Sequence, residues 1–237
     1  MPQLTNLNVS PYFDDFDPAN DYYRVLFKPG YPVQARELTG LQSMLQNQIE
    51  KFGQHFFKEG AKIIPGNTSY TQKYTCVQLN NEFQGVPVAA YVDQLVGSTI
   101  TGQTSGVTAT VDKVLSSADS ENGNLTLYVN YIGSSTTNNS TSTFADSENL
   151  TSDITISSGL LGNNTISIGS PFATTVANGA AATGSAFHVE NGVYFVRGQF
   201  VNVDQETLIL DQYGTNPNYK IGFNILEEII TADLDET

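Results

Sequence analysis

The 237-residue sequence has no tryptophan, one cysteine, two histidines and two methionines. A single Cys76 excludes an intramolecular disulfide and suits synthesis in a reducing compartment; within the strand-like run Lys73 to Leu79 it reads as a small buried hydrophobe. His55 and His188 are the only imidazoles, and neither stands at metal-ligand spacing from another His or Cys, so both read as packed or surface residues. No GxSxG elbow, Walker A loop, HExxH motif or dinucleotide fingerprint occurs. No catalytic, cofactor-binding or metal residues are therefore assigned, and no cofactor is expected.

Basic residues are also scarce: 10 Lys and Arg stand against 24 Asp and Glu, a net charge of −14. That balance repels phosphate backbones and excludes nucleic acid as an expected partner. No window approaches the roughly 18 apolar residues of a membrane span, and no basic patch followed by an apolar run marks a signal peptide. Neither membrane insertion nor secretion is expected. Charged residues make up only 14 % of the chain, well below the roughly 25 % of ordinary soluble domains. Ser, Thr, Asn and Gln carry the polar surface instead, which suits close packing against neighbours.

What is present is apolar enough to fold: 39 % of residues are hydrophobic, with 13 Phe and 12 Tyr. The predicted fold is mainly β with one N-terminal α-helix, a β-meander body, an inserted small β-barrel-like subdomain and an extended N-terminal arm. Residues 1–31 form the arm, punctuated by prolines at 11, 18 and 29 and rich in aromatics, with strand propensity from Tyr23 to Phe27. Residues 32–95 hold the helix and the first strands of the main body. Leu38, Leu41, Leu45, Ile49, Phe52 and Phe56 recur in steps of three and four, the period of a straight amphipathic helix running from Pro32 to Lys58. Gln48 falls where a heptad wants an apolar residue. Gln42, Gln46, Glu50 and Gln54 mark the opposite, wetter face, and Gly60 the residue past the helix end. Gly53 costs the helix about 1 kcal/mol relative to Ala; close backbone approach and a mild defect both account for it.

Strands are expected at Ala61–Ile64, Tyr74–Leu79, Val86–Val96 with Pro87 at an edge, Val107–Leu115 and Leu125–Ile132, with Asn122-Gly123 as a hairpin signal between the last two. Residues 96–170 are the expected inserted subdomain, closing near Thr155–Ser157 and Thr165–Ile168. Within it, Ser134 to Ser157 is mostly Ser, Thr and Asn and reads as a long polar loop with room for one short strand. Residues 171–237 complete the main body: Ala173–Gly184 reads as a linker, followed by a meander of Val189–Val203, Thr207–Tyr213 and Tyr219–Ile230. The acidic close, Asp233 to Thr237, reads as the edge of a longer parent.

Two features offer chemistry that the bland reading absorbs. Asp14, Asp15, Asp17 and Asp21 form the densest acidic cluster but lack the glycine and distal glutamate of a calcium loop, so a solvated or Arg24-paired cluster is expected. Tyr22, Tyr23, Tyr70 and Tyr74 could replace the missing tryptophan as sugar platforms, though aromatic core and interface roles are commoner. The sequon-like Asn67-Thr-Ser69 and Asn149-Leu-Thr151 carry no meaning without secretion.

The stretch Tyr23 to Thr39 (YRVLFKPGYPVQARELT), followed by Leu41 to Gly60 (LQSMLQNQIEKFGQHFFKEG), resembles a family of structural proteins in the virions of contractile-tailed phages, notably T4-like cyanophages, whose shared region is a domain of unknown function. Gly97 to Val111 (GSTITGQTSGVTATV) and Gly192 to Val201 (GVYFVRGQFV) extend the resemblance over nearly the whole chain. It implies a virion structural protein: a tail or baseplate scaffold or adaptor, connecting baseplate and tail fibres, localised to the virion after synthesis in the host cytoplasm. The implied partners are other phage tail and baseplate proteins and further copies of this chain in a homo-oligomer. Members are often longer than this chain, which sets aside roles carried by a missing part. The resemblance supplies no catalytic residues. A host-surface glycan-binding or depolymerising tail module, placed after residue 85, is the alternative.

Overall fold

The computed structural model describes residues 7–135, 140–157, 165–228 and 230. The protein is mainly β, with one α-helix among the described residues and antiparallel strand pairing. It divides into two compact units, each described separately: residues 1–68, 189–206 and 220–237 form the first, and residues 69–188 and 207–219 the second.

In chain order the elements are α1 (Ala35–Phe56), β1 (Ala61–Ile64), β2 (Thr68–Leu79), β3 (Glu82–Phe83), β4 (Val86–Pro87), β5 (Thr99–Gly102), β6 (Thr108–Leu115), β7 (Leu125–Gly133), β8 (Asn149–Ser152), β9 (Ile156–Ser157), β10 (Thr165–Ile166), β11 (Pro171–Thr174), β12 (Ala181–Val189), β13 (Gly192–Val196), β14 (Gln199–Val203) and β15 (Glu206–Asp211).

The first unit contains the arm, α1 and a three-stranded sheet in the order β1-β13-β14. The helix starts at Ala35, where the Glu37 carboxylate accepts a hydrogen bond from the Gln34 amide at 2.9 Å and so occupies a donor that the first turn leaves free. Pro32 therefore precedes the helix rather than opening it. The tight turn between β13 and β14 consists of Arg197 and Gly198, with φ of 48° and 78°. Two successive positive φ angles are what a two-residue hairpin loop needs to match the twist of its strands.

In the second unit the strand order is β11-β8-β5-β6-β7-β2-β12-β15. Strands β5, β6 and β7 follow one another as hairpins, and β8 returns to lie beside β5, which is a Greek key. The core of this unit gathers on one face around Val77, Leu79, Tyr91, Leu95, Leu127 and Phe172. A smaller cluster of Tyr74, Cys76, Tyr128 and Ala186 is buried on the opposite face of β2 and β7, where side chains alternate with those of the main core. Cys76 is a fully buried small hydrophobe, as its sequence context indicated.

Several expected boundaries move. The eight-stranded sheet is open, ending at β11 and β15, so the described residues form no closed barrel over 96–170. Nor do the compact units break at 31, 95 and 170, because β5 to β8 are continuous through β7 with β2 and β12 in one sheet. Val86–Val96 supplies only the two-residue β4 and then two 3-10 turns, Val88–Ala90 and Val92–Leu95, which bury Val88, Tyr91, Val92 and Leu95. Those four stand at helical spacing, a period the strand reading passed over. Ala173–Gly184 is not a linker: β11 and β12 occupy half of it, with Ala173 and Ala180 fully buried. Tyr23–Phe27 and Tyr219–Glu228 form no strand, for neither run finds a sheet edge to pair with among the described residues.

Candidate assembly surface

The apolar stripe of α1 faces outward. Leu38, Leu45, Ile49, Phe52 and Phe56 are each at least half exposed, and the residues packed down are Gly40, Met44, Asn47, Glu50 and Gly53. This reverses the expected sidedness: Glu50, read as part of the wet face, is buried. The reason is close approach. A side chain at Gly53 would collide with the ring of Phe195, and one at Gly198 would stand 2.6 Å from the Cβ of Glu50, so α1 seats where small residues let the backbones meet. Glu50 accepts a hydrogen bond from Gln54 at 2.9 Å. Leu41 is only half-buried, and the exposed seam runs Leu38, Gln42, Leu45, Ile49, Phe52, Phe56.

The arm lies along the same helix. Asp14 accepts a hydrogen bond from the Ser43 hydroxyl, Asp15 forms an exposed ion pair with Arg36 at 3.7 Å, and the Tyr23 carbonyl accepts one from Gln48 at 3.4 Å. Asp17 caps the 3-10 turn Pro18–Asn20 by accepting from the Ala19 amide at 2.9 Å. The acidic cluster is thus spent on separate local tasks, its pairing partner is Arg36 rather than Arg24, and no group of metal-ligating side chains occurs among the described residues. Tyr22, Tyr23, Leu26 and Tyr31 stand exposed along the arm. A shallow cavity of about 300 Å³ opens between Leu26, Phe27, Tyr31, Val33 and Glu37.

The first unit buries few of its apolar side chains: Met44, Tyr194 and Phe195 are the buried ones among its described residues. Phe195 sits in an aromatic group with Phe57 and Phe200, at ring separations of 5.7 and 5.6 Å. Beyond the arm and α1, the irregular segment Tyr219–Glu228 also leaves Ile221, Phe223, Ile225 and Leu226 exposed. A soluble monomer scatters exposed apolar residues singly, and contiguous stretches of them mark interaction sites.

On the second unit a groove of about 410 Å³ is lined by Thr71, Lys73, Tyr74, Asp112, Asn130 and His188 among others. The register of β6 against β7 shifts between Val111 and Lys113, so Asp112 is the bulged residue, and its carboxylate accepts a hydrogen bond from the Tyr74 hydroxyl. Tyr74 stacks on Tyr128 at 4.7 Å. Burial and the Asp112 carboxylate push the Tyr74 hydroxyl far above the usual phenol range. His188 shares hydrogen bonds with Thr207 at 2.9 Å and Thr71 at 3.2 Å, and lies edge-on to Tyr74. His55 is exposed, edge-on to Phe56 at 5.4 Å. The hydrogen-bond partners of His188 are thus two threonine hydroxyls. Tyr70 is half exposed and donates to the Thr215 carbonyl at 3.3 Å.

One buried polar centre had no sequence signal. Glu148, fully enclosed, accepts from the amides of Thr104 at 2.7 Å and Ala145 at 2.9 Å, from the Ser105 hydroxyl at 3.0 Å and from the Ser105 amide. The turn Gly102 to Gly106 is therefore a carboxylate clamp that ties β8 to the β5–β6 hairpin. Its role is structural, since every oxygen is already satisfied from within.

Residues 10–115 match the family described as a domain of unknown function, DUF4815. The DUF4815 match runs from the arm through α1 to the end of β6, and so contains the whole exposed seam and the clamp turn. No curated protein matches the chain, and no solved structure does.

Proposed function

We propose that this chain is a structural component of a bacteriophage virion, a tail or baseplate scaffold or adaptor that works by protein–protein contact and not by catalysis. The observation that carries the reading is the outward-facing apolar seam of α1 with the aromatic arm laid beside it. Each large apolar side chain left in water forgoes roughly 1.5–3 kcal/mol that burial would return, so a surface of this kind is stabilised by being covered. The resemblance of Tyr23 to Gly60 to phage virion proteins supplies the particle; the seam supplies the mode of action. Aromatic anchors such as Tyr22, Tyr23 and Phe52 are the side-chain types that dominate desolvated interfaces. The net charge of −14 disfavours DNA as what covers them.

The alternative, a host-surface glycan module, would seat its ligand in the second unit's groove. There Tyr74 is already stacked on Tyr128 and bonded to Asp112, which leaves no open aromatic face for a sugar ring. The test is antibody labelling of intact phage particles carrying this gene. Label confined to the tail or baseplate supports the proposal; label on the head, or none on particles that open epitopes after mild dissociation, overturns it. Binding or reducing-sugar release on host polysaccharide would favour the alternative.

A further inference from the structure

The inference rests on the assembly reading above and names the partner. We propose that α1 is a self-pairing element, whose seam packs against the same seam of a second copy of this chain.

Three observations select a copy of the chain over an unrelated protein. The exposed residues Leu38, Gln42, Leu45, Ile49, Phe52 and Phe56 alternate in steps of four and three, which is the knob spacing of helices that pack side by side. The residues flanking this seam are Thr39, Leu41, Gln46, Gln48, Gly53 and His55, all without formal charge. In a chain of net charge −14, most pairs of surfaces from two copies repel; this face meets itself without like-charge opposition. The charged residues of α1 lie elsewhere, and Glu50 is buried on the opposite side.

Gln42 is the one polar residue in the seam. A side-chain amide offers both donor and acceptor, so two copies of Gln42 satisfy each other across a symmetry axis, whereas a purely apolar partner would leave both groups unpaired. A single polar residue at such a position fixes register.

The area suffices. Phe52, Phe56 and Tyr23 are 67 %, 64 % and 77 % exposed. Aromatic side chains carry roughly 150–250 Å² each, so these three supply about half of the ~800 Å² that one side of a specific interface buries. Leu38, Leu45 and Ile49 add much of the remainder. The first unit, which buries only Met44, Tyr194 and Phe195 by itself among described residues, gains an apolar core by the pairing.

The test uses the full chain. Light scattering over a concentration series should give a mass that is a multiple of 25.7 kDa, and Ile49→Lys should return the single-chain mass with unchanged far-UV circular dichroism. Because Ile49→Lys could also perturb the fold, a second arm uses Leu45→Cys, one step along the seam from Gln42, where two parallel helices paired through Gln42 bring the two thiols together. Under mild oxidation Leu45→Cys should form a disulfide-linked dimer, while Gln54→Cys, on a different face of α1, should not. A wild-type chain that remains at 25.7 kDa throughout, or cross-linking that is equal at the two positions, overturns self-pairing. If the wild type is single-chain and Ile49→Lys nevertheless blocks incorporation into particles, the assembly reading stands and self-pairing falls. If self-pairing holds and particles carry no label, the virion reading alone falls.

Discussion

Gly53 lies flat against the ring of Phe195, and a Cβ at this position would stand 2.5 Å from the ring's Cε2 and Cζ atoms. The contact explains why a glycine persists in the middle of a helix. Alanine there would gain about 1 kcal/mol in helix propensity. The ring has nowhere to go, because it is fully buried between Phe57 and Phe200. Overpacking of this kind costs roughly 1–3 kcal/mol. Gly53→Ala should therefore lower the melting temperature of the chain, and Phe195→Leu added to it should recover part of the loss. A Gly53→Ala variant that melts higher than the wild type would show that the helix does not sit on this ring.

Glu148 yields the second prediction. Its carboxylate closes the turn Gly102 to Gly106 by accepting from three backbone amides and one hydroxyl. Glu148→Ala would strand those donors in the interior, where each unsatisfied group costs about 1–3 kcal/mol. Glu148→Gln keeps the shape but turns an NH₂ toward groups that are themselves donors. Both variants should lose stability in chemical denaturation, the alanine by more than the glutamine, with a loss of at least ~2 kcal/mol. A near-neutral Glu148→Ala would mean that water reaches the clamp.

The seam and the clamp differ in how legible they were in the sequence. The helix was plain from its 3.6-residue period, yet period alone does not say which stripe is covered; burial of the apolar stripe is the default for a monomer, and the close approaches at Gly53 and Gly198 reversed it. Alternation located β6, whose buried and half-buried residues alternate at its start, and placed β7 although Leu125 to Val129 are buried on both faces, with the Asn122-Gly123 turn between the strands and Gly123 at φ 68°. The same alternation in Tyr219, Ile221, Phe223 and Ile225 misled, because a strand also needs an edge to pair with. Glu148 was hidden because it stands in Ser/Thr/Asn-rich text, and a carboxylate clamp is assembled from residues more than 40 positions apart.

Alkaline pH should unfold the second unit. Burial pushes the Cys76 thiol up from 9.0 to about 12, and the Tyr91 and Tyr131 hydroxyls from 10.0 to about 12. Burial also raises Tyr74 and Tyr128. In each case the folded state holds a proton that the unfolded chain has released, so the unfolded state binds fewer protons and stability falls as pH rises. These groups leave stability unchanged below about pH 9 and erode it from there toward pH 12. Melting temperature followed from neutral to alkaline pH should decline in that window, with the tyrosinate absorbance of Tyr74, Tyr91, Tyr128 and Tyr131 appearing together with unfolding. Tyrosinate absorbance that saturates near the ordinary phenol range while the protein stays folded would contradict the burial of these hydroxyls.

Cys76 turns the same physics into a kinetic probe. The nucleophile in thiol labelling is the thiolate, and here burial both withholds the proton's release and bars the reagent. Its Sγ faces the Gln212 carbonyl at 4.0 Å inside the cluster of Tyr74, Tyr128 and Ala186. Modification by a maleimide at neutral pH therefore requires β2 to open, so native protein should remain unlabelled while protein in denaturant reacts completely. Raising the reagent concentration should bring the native labelling rate to a plateau equal to the opening rate of the second unit. A Glu148→Ala variant should label faster if loosening the clamp frees the sheet as a whole, and at the wild-type rate if the β5–β6 end opens independently of β2. Rapid stoichiometric labelling of the native wild type would place Cys76 at the surface and remove the structural reading of this cluster.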